Sequence, residues 1–64
     1  MAWSWAYEDA SGAATGSSQE FPAQADAETW IGESWRELLE SGVSAVTLRE
    51  GDRVVYGPMG LEPA

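Results

Sequence analysis

A chain of 64 residues with no Cys and no His must fold without a disulfide or a zinc site to hold it together. Disulfides are excluded, and a structural zinc site would lack the thiolate and imidazole ligands that such sites use. A chain of this length buries only about 60% of the surface that its unfolded form exposes, so large side chains must supply the core. The four Trp, two Tyr and one Phe are that supply, since one aromatic side chain can bury about 150–250 Å².

The charge is strongly negative, with 3 Arg against 11 Asp plus Glu and a formal net charge of −8. Such a charge repels nucleic acid backbones and anionic membranes. We therefore expect no direct contact with nucleic acid or membrane, and a basic protein as the partner; a solvated surface without a partner is the simpler alternative. No signal-peptide pattern and no membrane-spanning apolar run is present, so we expect a cytoplasmic protein.

The first third of the chain predicts one strand and one loop. Residues 2–8 alternate with the period of a half-buried β-strand. The side expected to face the core carries Trp3, Trp5 and Tyr7. Residues 9–20 are rich in Gly, Ser and Ala, which favours a turn and a loop. A short extra strand at 13–15 is an alternative for part of that loop.

Residues 24–41 predict the single helix. Its expected apolar face is centred on Ala27, Ile31, Ser34 and Leu38, with Trp30 and Trp35 on either side. Ala23 occupies the expected N-cap position, where the lack of a capping side chain costs about 1 kcal/mol. Gly42 suits the left-handed conformation that ends many helices.

Residues 43–57 predict a β-hairpin closed by a type II′ turn at Gly51-Asp52. The register then pairs Glu50 with Arg53 and, further along, Leu48 with Val55 and Thr47 with Tyr56. The side expected to face the helix carries Val46, Leu48 and Val55. The side expected to face outward carries Thr47, Arg49, Val54 and Tyr56.

The element order is strand, helix, strand, strand. This order predicts one α+β domain over residues 1–64, with one helix packed on a small, mainly antiparallel three-stranded sheet. No repeat or linker divides the chain.

The composition argues against catalysis. Nucleophilic catalysis needs a base beside the nucleophile, and the chain has neither His nor Lys. The carboxylates do not follow the spacing of a calcium loop. We therefore predict a protein that is not an enzyme, with no catalytic residues, no metal site and no cofactor.

One side of the predicted helix is rich in carboxylates. On a helical wheel four acids fall within about 60° of one another. We call this set the acidic helix face, and it consists of Asp26, Glu33, Glu37 and Glu40. Arg36 is expected to pair with Glu33 or Glu40 along the helix. Tyr56, on the outward side of the hairpin, is the second candidate contact for a partner.

Three stretches of the chain form a recognisable pattern. They are W-x-W-x-Y-E-D at 3–9, F-x-x-Q-A-D-A-E-x-W-[IL]-G-E-x-W-R-E-L at 21–38, and V-Y-G-P-M at 55–59. With them, nearly the whole chain resembles a group of small, uncharacterised acidic proteins from high-GC actinobacteria. The resemblance implies a shared fold and no particular chemistry.

Three functions remain open from the sequence. The leading hypothesis is a non-catalytic interaction module that binds a basic protein surface through the acidic helix face. An alternative is a nucleic-acid mimic, since Glu33, Glu37 and Glu40 lie about 5–6 Å apart, near phosphate spacing. The third is a structural module that associates with itself through its edge strands. The sequence leaves the oligomeric state open.

Overall fold

The computed structural model describes residues 2–61. The elements are β1 (Trp3–Glu8), β2 (Ala14–Ser17), α1 (Gln24–Glu40), β3 (Ala45–Glu50) and β4 (Arg53–Gly60). The strands form one antiparallel sheet in the order β2-β1-β3-β4. The predicted α+β class, with one helix on a sheet, is confirmed. Residues 1 and 62–64 of the predicted domain lie outside the described residues.

The expectation of three strands is wrong, because the described chain forms four. β2 pairs with β1 through Ala6 and Ser17 and through Tyr7 and Gly16. It starts one residue later than the alternative strand at 13–15 and ends two residues later. All four β2 residues are exposed, so the segment has no apolar alternation that a sequence pattern could reveal. Its pairing with β1 rests on backbone hydrogen bonds.

The turn between β1 and β2 is organised by one carboxylate. Oδ1 of Asp9 accepts hydrogen bonds from the Ser11 hydroxyl at 2.6 Å, the Ser11 backbone N–H at 2.9 Å and the Ala13 backbone N–H at 3.1 Å. These donors, the Ser11 hydroxyl first, lower the pKa of Asp9 below its ordinary value. The folded turn therefore favours the ionised carboxylate.

This turn should loosen in acid. Because the pKa of Asp9 is lowered on folding, its contribution is fully present above the pKa of the unfolded chain and is lost as pH falls through the lower, folded value. We expect the amide resonances of Ser11 and Ala13 to titrate below about pH 3.9, the ordinary Asp value. Asp9→Asn should abolish this transition. A midpoint at or above the ordinary value would contradict the account.

The helix begins and ends close to its predicted bounds. Ala23 is extended and contributes no side-chain cap. At the other end, the Gly42 N–H donates to the Leu39 carbonyl at 3.2 Å and the Val43 N–H to the Leu38 carbonyl at 3.0 Å. Gly42 has a φ of 104°. The left-handed Gly42 is as predicted, and the two hydrogen bonds form a Schellman motif that turns the chain toward β3.

The core lies between α1 and one face of the sheet. Trp5 on β1 is fully buried, and its indole N–H donates to the Ala27 carbonyl of α1 at 2.8 Å. The buried apolar side chains are Trp5, Phe21, Ala27, Ile31, Val43, Val46, Leu48 and Leu61. The predicted apolar sides of β1, α1 and β3 all contribute to this core, so periodicity placed it correctly. None of residues 2–61 belongs to a helix with the length and apolarity that a membrane crossing requires.

The hairpin follows the predicted register only near its turn. Gly51 has a φ of 58°, and within residues 2–61 no non-glycine residue has a positive φ, which is the type II′ pattern. Glu50 pairs with Arg53, as predicted, and Arg49 pairs with Val54 next to it. Leu48 then pairs with Tyr56 and not with Val55. β4 therefore carries an extra residue opposite β3.

This bulge makes the prediction for Tyr56 wrong. Directly paired residues of an antiparallel sheet share a face, so Tyr56 lies on the same face as Leu48, toward the helix. Its ring makes an edge-to-face contact with Trp5, at a centroid distance of 6.0 Å. One inserted residue reverses the alternation that follows it, and the second register shift, between Val46 and Leu48, restores it. Thr47 keeps its predicted outward direction but is buried, because Gly57 of β4 packs directly against it.

Candidate functional site

The acidic helix face lies on the exposed side of α1. Asp26, Glu33, Glu37 and Glu40 are all exposed. Ala27 and Ile31, on the other side of the helix, are buried in the core. The period of the helix thus separates the two sets, because packing fixes the apolar side inward and leaves the carboxylates in solvent.

These four carboxylates have no basic partner within residues 2–61. The salt bridge in this part of the chain joins Arg53 to Glu50 at 2.8 Å, across the hairpin turn. The expectation that Arg36 pairs with Glu33 or Glu40 is wrong. Its guanidinium instead lies over the Trp35 ring, 5.4 Å from the centroid. A cation above an indole face is attracted by the ring quadrupole, which competes with an exposed ion pair of similar strength.

The charge on α1 works against helix stability. The helix has five carboxylates and one Arg, which leaves a charge of −4. Glu33 and Glu37 are like charges at i and i+4, which is mildly destabilising. Glu40 lies at the negative end of the helix dipole, and no basic residue occupies the last turn. Only Asp26, in the first turn, is placed favourably for the dipole.

Tyr56 lies apart from the acidic helix face. It is 39% exposed at the border between sheet and helix. Partial burial and then the negative charge of Glu28 raise the pKa of Tyr56 above its ordinary value. Glu28 projects from the opposite side of α1 to Glu37. The predicted site residues therefore form two separate surfaces, with the four acids on one and Tyr56 on the other.

Strand β4 carries the large apolar side chains that are exposed among residues 2–61. These are Val54 at 58%, Met59 at 40% and Tyr56 at 39%. The sequence placed Val54 outward, whereas Met59 and Leu61 were expected to pack against the sheet edge; Leu61 is buried and Met59 is exposed. Met59 is paired with the buried Val46 of β3, so it lies on the helix side of the edge strand β4.

No enclosed site accompanies these surfaces in the part of the chain that the structure describes. Residues 2–61 enclose no pocket and bring no three acidic side chains together as metal ligands. The candidate site is therefore an open, convex helix surface.

Comparison with protein-family models, with curated proteins and with solved structures finds no match to this chain. The resemblance to the actinobacterial group stays a prediction.

Proposed function

We propose that this chain is a non-catalytic interaction module of the cytoplasm, and that its acidic helix face binds a basic surface on another protein. One observation carries the proposal: the acidic helix face is exposed and has no basic partner among residues 2–61. Three of the four, Glu33, Glu37 and Glu40, lower the stability of their own helix, and a role outside the fold explains them better than a structural one.

The geometry suits charged recognition along a helix. Glu33, Glu37 and Glu40 follow one another at i, i+4 and i+7, so a row of Lys or Arg side chains can meet them in turn. Charge complementarity of this kind steers encounter and selects the partner. Trp30 is half-buried beside this row, where the face of its indole ring can contact an Arg side chain.

The proposal predicts that three neutral substitutions abolish capture of the partner. The test compares the wild-type chain with a Glu33→Gln, Glu37→Gln, Glu40→Gln variant as bait in a lysate of the source organism. The variant should keep its fold, because it relieves the like-charge contact on α1. We expect mass spectrometry to find a basic protein with the wild type and a loss of at least about tenfold with the variant.

A second variant separates position from total charge. Glu20→Gln, Glu28→Gln, Asp52→Asn removes the same number of charges from three exposed residues outside the acidic helix face. This control should retain the partner. Equal loss from both variants would show that only net charge matters, and equal recovery by all three baits would rule out the acidic helix face.

A nucleic-acid mimic is the second candidate, supported by the phosphate-like spacing of three exposed carboxylates in one row. The captured protein would then be a DNA- or RNA-binding protein. Adding duplex DNA to the captured complex distinguishes the two. Displacement of the chain supports mimicry, and simultaneous binding of the chain and DNA removes it.

A further inference from the structure

The sheet has a second face, opposite the helix. Alternation along β1 turns Trp5 toward α1, so Ser4, Ala6 and Glu8 point to the other side. The strand register adds their paired neighbours on β3 and β4. We call this surface the open sheet face, and it consists of Ser4, Ala6, Glu8, Ala45, Thr47, Arg49, Val54 and Gly60.

Opposite charges lie at the two ends of the open sheet face. Arg49 is paired with Ser4 at one end, and Glu8 is paired with Ala45 at the other. Four residues of strand separate these ends, about 13 Å, which is too far for an ion pair within one chain. Neither residue forms a salt bridge within residues 2–61. Nε of Arg49 is buried without a hydrogen-bond partner, and Nη2 makes only a long contact of 3.4 Å to the Asp52 carbonyl.

Side-chain size changes along the same direction. Val54 stands beside Arg49 and is 58% exposed, the largest exposed fraction among the big apolar side chains described. Gly60 stands beside Ala45 at the Glu8 end and has no side chain. Between the two ends, Ala6 pairs with Thr47, so the centre of the face carries only short side chains. The open sheet face thus has a bulky apolar side chain and a positive charge at one end, and small side chains and a negative charge at the other.

We propose that a second copy of this chain packs on the open sheet face about a two-fold axis. The axis lies between the two sheets, runs perpendicular to the strands and passes over Ala6 and Thr47. This axis reverses the strand direction, so each end of one face meets the other end of its partner. Arg49 then reaches the partner's Glu8, and Val54 covers the partner's Gly60. A two-fold axis requires such self-complementarity, and it forms both contacts twice.

The overall charge permits this arrangement. The acidic helix face lies across the sheet from the open sheet face, so the four acids of each copy point away from the other copy. They also remain free for a basic partner, which makes this inference independent of the proposed function. Pairing through β4 edges is disfavoured, because its register shifts and Pro58 disrupt edge-to-edge hydrogen bonding.

The test is a charge swap followed by sedimentation. The wild type should form a weak dimer, visible by analytical ultracentrifugation at concentrations from about 10 μM to 1 mM. Glu8→Arg and Arg49→Glu each place like charges together, and each should raise the dimer dissociation constant at least about tenfold. The double variant restores opposite charges and should return to within about threefold of the wild type.

Circular dichroism and thermal melting of each variant verify that the monomer is folded. A further variant, Val54→Ser, removes the apolar contact without changing charge and should also weaken the dimer. A wild type that stays monomeric at every concentration overturns the proposal. A wild-type dimer that both single variants leave unchanged overturns it as well, and would move association to another surface. A double variant no better than the single ones contradicts the pairing of Arg49 with the partner's Glu8.

Discussion

Trp5→Ala is expected to be the most destabilising single substitution in this domain. Trp5 is fully buried, donates its indole N–H to the Ala27 carbonyl at 2.8 Å and contacts Tyr56 edge to face. Truncation of a buried Trp costs about 3–5 kcal/mol. A folded chain of this length has a total stability of about 3–10 kcal/mol. One substitution therefore removes a large part of the stability, and the loss of helical circular dichroism measures it.

Two companion variants make this result specific. Trp5→Phe keeps a ring but loses the hydrogen bond to α1, so a smaller loss of about 1–2 kcal/mol is expected from chemical denaturation. Trp35→Ala makes the same truncation at a half-buried position and should cost less than Trp5→Ala. If Trp35→Ala were the more damaging of the two, the core would not be organised around Trp5 as described.

Gly57→Ala is expected to be the second most damaging change. A Cβ at this position would lie 2.7 Å from the Thr47 Cα, 2.9 Å from its Oγ1 and 3.0 Å from the Val46 carbonyl oxygen. Gly57 also has a φ of 128°, which L side chains rarely adopt. The contact is with backbone of the central strand, so it cannot be relieved by a rotamer change. We expect a loss of about 2–4 kcal/mol from overpacking and backbone strain together.

Gly32→Ala is the matched control for this prediction. It makes the same chemical change within α1, where a Cβ would meet nothing within 4 Å. The variant should be more stable by about 1 kcal/mol, the helix preference for Ala over Gly. Urea denaturation of both variants measures the difference. A Gly57→Ala chain as stable as the wild type would mean that β4 does not approach Thr47 this closely.

Periodicity was enough to predict most of the fold. The two-residue alternation of Trp3, Trp5 and Tyr7 and the helical spacing of Ala27 and Ile31 identified the two sides of the core, because both patterns follow from backbone geometry alone. The turn at Gly51-Asp52 and the helix end at Gly42 were predicted for a related reason. At each, glycine adopts a positive φ.

Features without a periodic signal could not be predicted. β2 has small, exposed residues on both sides, so nothing in its composition distinguishes a strand from a loop. The bulge in β4 moved Tyr56 to the opposite face because a single inserted residue reverses alternation, and sequence alone does not say where it occurs. The contact between Arg36 and Trp35 depended on the choice between two weak interactions of similar energy. The positions of the four acids were predicted correctly because they depend only on the helix period.

The most direct test of the acidic helix face is the salt dependence of its binding. The dissociation constant for the captured basic protein is measured by calorimetry at ionic strengths from about 0.05 to 0.5 M, with the wild type and with the variant carrying Gln at 33, 37 and 40. Exposed charges are screened over about 10 Å at 0.1 M, so we predict that wild-type affinity falls steeply with salt while the weaker affinity of the variant hardly changes. A wild-type affinity that is independent of salt would contradict the proposal that these carboxylates form the binding surface.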